Sequence, residues 1–177
     1  MINITVKEYL TDEKHLHYSS LLTSLNAKDC LHFNLNKLTY NEVITCNRIL
    51  SKVTTIDDVK RLFKTAYNIK DDKFYSISIV NFFQSKAFLI EKFVSLREQE
   101  HKLLASNDVD TMYFDAAGGQ RLNSYSDVLP LDKLAKIYGG YPLDYGEKKY
   151  VEVLYLLKMN QVISQVDKRF GELKKNS

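Results

Sequence analysis

Apolar and polar residues alternate along this chain with a period that is mostly helical. The sharpest case is the stretch 82–104, where Phe82, Phe83, Leu89, Ile90, Phe93, Leu96, Leu103 and Leu104, preceded by Ile79, recur at intervals of three, four and seven. This spacing predicts a long central helix. A second amphipathic helix is predicted over about 147–173, carrying Val151, Leu154, Leu157, Val162, Val166 and Phe170. Shorter helices precede them. Thr39-Tyr-Asn-Glu42 has the spacing of a capping box, and helix follows to about residue 52 with Val43, Ile44, Ile49 and Leu50 turned inward. Thr55, with Asp57 and Asp58 in the first turn, repeats the signal for a helix over 56–67 that buries Val59, Leu62, Phe63 and Ala66.

Elsewhere the pattern is weaker. Residues 11–25 place Leu16, Leu21, Leu22 and Leu25 near helical spacing, among Ser and Thr pairs that lower the propensity. Residues 2–6 alternate too briefly for more than an edge strand or an extended arm, and Leu31, Phe33 and Leu35 could pair with it as a short strand. Residues 68–73 read as a charged connector. Between 106 and 128 the composition shifts to Asn, Asp, Ala and Gly, a length that compact domains keep mostly for functional or assembly-ordered loops. Pro130 opens a short helix through Tyr138, Gly139-Gly140 ends it, and 141–146 is a turn.

The expected fold is therefore mainly α: a single-domain helical bundle over 1–177, leaving room for a short N-terminal β element. Within it, 1–38 form an arm and a weak helix, 39–105 the helical core, 106–146 an interaction loop with a short helix, and 147–177 the C-terminal helix. Composition agrees. Twelve Tyr and nine Phe, with six Gly and two Pro, leave too few turn residues for a many-stranded sandwich. Lys and Arg exceed Asp and Glu by 25 − 22 = 3 and the signs interleave, so charge alone marks no nucleic-acid footprint. Cys30 and Cys46 match neither a zinc ribbon nor a redox pair, which favours reduced thiols. Residues 1–8 do not read as a signal peptide. The longest uncharged run, 74–85, is about 12 residues against the ~20 needed to span a bilayer.

Candidate chemistry is thin. Glu98-Gln-Glu-His101 sets a carboxylate and an imidazole on one helical face, the half-motif of di-iron bundles, but no second Glu-x-x-His accompanies it. A solvated face with a Glu98–Lys102 pair is the plainer reading. His15, His17, Cys30, His32 and Cys46 could supply zinc ligands, although their spacing is not that of a structural site. No nucleophile sits in a Gly-x-Ser-x-Gly setting, and residues 116–121 lack the context of a phosphate loop. Lys168, Arg169, Lys174 and Lys175 could neutralise phosphates, diluted by Asp167 and Glu172. The tyrosines and phenylalanine Tyr113, Phe114, Tyr125, Tyr138, Tyr141 and Tyr145 gather in the loop-rich region, where they could pack beneath the loop or meet a partner.

Asp127-Val-Leu-Pro-Leu-Asp-Lys-Leu-Ala-Lys-Ile-Tyr-Gly-Gly-Tyr-Pro, followed by Lys149-Tyr-Val-Glu-Val-Leu-Tyr-Leu-Leu-Lys-Met, resembles the helical end of small tailed-bacteriophage morphogenesis proteins, tail-assembly chaperones among them. The resemblance covers the last third of the chain. The thin candidate chemistry points to a protein without cofactor, and the resemblance implies contact with other phage structural or assembly proteins, in the tail or neck or as a chaperone. It implies residence in the host cytoplasm during assembly or in the virion, and it leaves room for a homo-oligomer. A Lys-, Asn-, Ile- and Tyr-rich composition suits an AT-rich phage genome. Two other readings stand beside it: a helical metal-dependent enzyme using Glu98 and His101, and a nucleic-acid-binding regulator.

Overall fold

The computed structural model describes residues 4–52, 55–104 and 116–175, and of residues 14, 16, 17, 103 and 104 the backbone alone. The fold is mainly α, and among the described residues no strand forms. The helices are α1 Val6–Thr11, α2 Ser19–Thr23, α3 Tyr40–Leu50, α4 Ile56–Tyr67, α5 Asp71–Phe74, α6 Ile79–Leu104, α7 Leu129–Tyr138, α8 Pro142–Gly146 and α9 Tyr150–Lys175, with short 3-10 turns at Glu13–Tyr18, Leu35–Lys37 and Gly119–Tyr125. The chain divides into two units, one of residues 1–38 and 42–97, the other of 39–41 and 98–177.

In the first unit the N-terminal arm pairs with the start of α6 rather than with residues 31–35. Val6 N–H donates to Ile77 O at 2.9 Å and Ile79 N–H to Ile4 O at 2.9 Å, around a single antiparallel bridge from Thr5 to Ser78. Thr5 then caps α1. Its hydroxyl accepts from Glu8 N–H at 3.3 Å, and the Glu8 carboxylate accepts from Thr5 N–H at 2.7 Å. The Thr5 backbone N–H, which favours the charged form, holds the Glu8 carboxyl below its ordinary range.

The helix expected over 11–25 is broken. Asp12 takes an extended conformation, and the hydroxyls of Thr11, Thr23 and Ser24 donate to carbonyls three or four residues back, a local alternative to helical continuation. Residues 31–35 are not a strand. Instead, Phe33 enters the core edge-on to Tyr67, Phe88 and Phe93, with ring centroids 5.9–6.2 Å apart.

The loop reaches the core at Ser85 of α6, which is fully buried. Its hydroxyl accepts from Cys30 N–H at 3.3 Å, and its carbonyl accepts from the Tyr67 hydroxyl at 3.2 Å. A larger side chain at Ser85 would push the loop away. Phe63 occupies the centre of the unit, 5.0 Å from Phe82 in a stacked arrangement, 5.5 Å from Tyr67 and 5.7 Å from Phe74. Cys46 is buried, and burial, with the Glu42 charge adding to it, pushes its thiol up to about 12 and leaves it inert at neutral pH. Both cysteines are free.

The device at Thr55 is realised as expected over Ile56–Tyr67: its hydroxyl accepts from Asp58 N–H at 3.2 Å, the Asp58 carboxylate accepts from Thr55 N–H at 3.1 Å, and Val59, Leu62, Phe63 and Ala66 face inward. Replacing Thr55 by Ala should lower stability by about 1 kcal/mol. Urea unfolding checks this through a lower midpoint at unchanged slope.

Candidate functional site

In the second unit Tyr40, at the start of α3, and Tyr150, at the start of α9, stack with centroids 6.1 Å apart and an interplanar angle of 20°. Backbone pairing brings them together. Tyr40 N–H donates to Lys148 O at 2.9 Å, and an antiparallel bridge joins Thr39 to Lys149. Asn41 donates its side-chain amide to the Glu147 carboxylate at 2.8 Å and lies against Gly146, where a Cβ would meet the Asn41 amide at 2.5 Å.

Beside the stacked rings lies Glu100, half-buried, which accepts a long 3.4 Å hydrogen bond from the Tyr150 hydroxyl. Burial raises the Glu100 carboxyl above its ordinary value; the Tyr150 hydrogen bond opposes this and the Asp127 charge adds to it. Both tyrosine hydroxyls are held well above their usual range, chiefly by burial and then by the Glu100 charge.

The tyrosines of 125–145 are placed by α7 and α8. Pro130 starts α7, and Gly139 and Gly140 end it at φ of 79° and 88°, a backbone open to glycine at little cost. Residues 142–146 are a one-turn helix rather than the expected turn, with Pro142 at its first position. Tyr145 is buried, donating its hydroxyl to Gly139 O at 2.9 Å, so it holds the α7–α8 corner. Tyr138 is half-exposed and donates to Asn160 Oδ1 at 3.1 Å. Tyr141 and Tyr125 are 72% and 61% exposed, and Leu143 is exposed beside Tyr141 in sequence. Tyr113 and Phe114 lie outside the described residues.

The remaining candidates are scattered. Glu98 and His101 are exposed on α6, whereas Glu100 between them in sequence turns inward. Among the described residues no three His, Cys, Asp or Glu side chains gather as a metal site. His15 is held by Glu8 O at 3.1 Å, the Cys30 thiol faces Gln84 Oε1 at 3.5 Å, and the side chain of His17 lies outside the described residues. Lys168, Arg169, Lys174 and Lys175 are exposed on α9 with Asp167 and Glu172 among them.

The first unit carries a polar groove of about 240 Å³ lined by His32, Asn34, Lys37, Glu42, Lys64 and Asn68 among others, which shares Glu42, Lys64, Thr65 and Asn68 with a shallower depression of about 570 Å³. The depression is of mixed sign, since Lys64 and Lys60 lie 3.4 and 3.9 Å from Asp71, which lines it with them. Among the described residues no helix is long and apolar enough to cross a membrane. Compared with models of known families, with curated proteins and with solved structures, the chain matches none.

What the sequence reading missed is the Tyr40–Tyr150–Glu100 cluster and the buried Asn160. Glu100 lay inside the very motif weighed for metal. Helical phase gave the only available signal, since Glu100 falls four residues after the buried Leu96 and seven after the buried Phe93.

Proposed function

We propose that this chain acts by contact with other proteins during assembly of a bacteriophage particle, either retained in the tail or neck or released as a tail-assembly chaperone. It would do so in the host cytoplasm. The observation that carries the reading is the pair of exposed tyrosines, Tyr125 and Tyr141, on the second unit, with Tyr138 and Leu143 also exposed. Tyrosine suits interfaces because a rigid ring buries much area at low entropic cost while its hydroxyl stays paired. The segment that resembles phage morphogenesis proteins starts at Asp127, two residues after Tyr125, and contains Tyr138 and Tyr141. The buried Tyr145 and the two positive-φ glycines fix the α7–α8 corner from which Tyr141 and Leu143 project, so a partner meets that corner already formed.

Co-expression of the tagged chain with tail and neck proteins from the genome that encodes it, followed by pull-down and crosslinking, tests the reading. A captured tail protein, lost in the Tyr125→Ala/Tyr141→Ala variant, is expected. Failure to capture any of them, or capture indifferent to both substitutions, overturns it. Because both side chains are exposed, the variant should stay within about 0.5 kcal/mol of the parent in stability.

A further inference from the structure

The second half of α9 has no inner face. Every residue from Val162 to Lys175 is exposed except Gly171, which is half-buried. The buried positions of the helix, Tyr150, Val153, Leu157 and Asn160, all lie before it. Yet this half is strongly apolar on one side. At 100° per residue, Tyr155, Val162, Ile163, Val166, Phe170 and Leu173 fall within a band about 100° wide. Phe170 is 67% exposed and Val166 60%. With Gly171 and three β-branched residues in it, such a segment is a marginal helix in water unless its apolar side is covered.

We propose that this band pairs with the same band of a second copy, as an antiparallel two-helix coil about a two-fold axis near residues 163–165. The inference goes beyond the assembly role and stands on α9 alone. A heptad runs through the band: Met159, Val166 and Leu173 stand at a, Tyr155 and Val162 at d, with Arg169 the polar exception. One antiparallel register brings the apolar positions together, with Arg169 facing Met159 of the second copy at each end, where its stem can lie along the thioether while the guanidinium reaches solvent. It sets Leu173 against Tyr155 and Val166 against Val162 of the second copy. On one flank it brings Ile163 to its own symmetry mate and Leu156 to Phe170; on the other it brings Lys158 to Glu172 and Gln165 to itself.

Both copies therefore gain a Lys158–Glu172 pair at each end of the contact. A parallel in-register pairing would instead stack Arg169 on Arg169 at a core position, which disfavours it. The exposed fractions of the six apolar side chains leave roughly 600 Å² per copy to cover, so two copies reach about 1,200 Å², the lower end of specific interfaces.

Sedimentation of the full chain over a concentration series, with light scattering on a sizing column, reads the pairing. A dimer should form below about 100 μM, weak enough to show a concentration dependence. V166D should yield a monomer whose helical circular dichroism falls by no more than the fraying of residues 162–175. K158E should raise the dissociation constant roughly tenfold by placing two acids together, and K158E/E172K should return it close to the parent. Under mild oxidation Q165C should form an interchain disulfide, mapped by mass spectrometry. A chain monomeric throughout the series, a charge reversal not rescued by the double variant, or crosslinking through R169C instead of Q165C would each overturn the proposal.

Discussion

Phe63→Ala should remove about 3–5 kcal/mol of stability, the largest single loss expected in the first unit. The ring has no exposed surface and is met on several sides by Phe82, Phe74 and Tyr67. Truncation forfeits the transfer energy of the ring and leaves a cavity walled by aromatic side chains, which are stiff and cannot flow into it. Two of the walls come from α5 and α6, on the far side of a turn, so collapse of the cavity would have to drag backbone with it. Since a domain holds about 5–15 kcal/mol in all, the variant should be partly unfolded at physiological temperature. Leu21→Ala, at an exposed apolar position, is the control and should change stability by less than about 0.5 kcal/mol. Urea unfolding followed by circular dichroism distinguishes them; a Phe63→Ala loss below about 1 kcal/mol would mean that the aromatic centre is loosely packed.

The centre around Phe63 was legible from the sequence because its signals are local. Thr55 and Asp58 lie within one helical turn, and Val59, Leu62, Phe63 and Ala66 share one face of one helix, so periodicity and capping chemistry name both the element and its inner side. α6 and α9 follow from the same logic over longer spans. The failures involve long-range partners or competing local bonds. Thr5 reads as the edge of a strand because it alternates with apolar neighbours, but its capping partner Glu8 lies three residues on and its bridging partner Ser78 lies in another part of the chain. The Thr5-Val-Lys-Glu8 box was there to be read, at the same spacing as at Thr39, and the brevity of the segment concealed it.

Phe33 alternates with Leu31 and Leu35 as a strand residue would, and what takes it out of that pattern is the Asp29 carboxylate, which accepts from Phe33 N–H at 2.8 Å and turns the loop. Periodicity also says which residues share a face without saying what the face meets. Val162, Val166 and Phe170 belong to the same apolar series as Leu157 in composition, yet Leu157 is buried and they are not. The candidate site was half legible for the same reason. Tyr141 and Tyr145 sit in one turn of chain, and only the α7–α8 corner decides that one faces solvent while the other donates to Gly139.

Tyr150→Ala should be the comparable loss in the second unit, about 3–5 kcal/mol, and unlike Phe63→Ala it should depend on pH. The pH-independent part is the buried ring, which stacks on Tyr40 and opens the α9 helix. The rest passes through Glu100. Its carboxyl is raised above the ordinary value in the folded chain, so the fold favours the protonated form; stability from this group is greatest below pH 4.5 and declines as the pH rises from there through the folded pKa. The Tyr150 hydroxyl opposes that decline by donating to the ionised carboxylate.

Removing the hydroxyl should therefore raise the Glu100 pKa further and steepen the decline. Tyr150→Phe, which keeps the ring, isolates this effect: it should be close to neutral at pH 4 and cost up to about 1 kcal/mol at pH 8. Glu100→Gln should do the opposite, removing the decline above pH 4.5 and making the Tyr150→Phe cost independent of pH. Unfolding midpoints of the parent, Tyr150→Phe, Glu100→Gln and the double variant at pH 4, 6 and 8 provide the measurement. If Tyr150→Phe costs the same at pH 4 as at pH 8 while Glu100 is present, the carboxyl is not coupled to the tyrosine, and the stack with Tyr40 alone accounts for the stability of this end of α9.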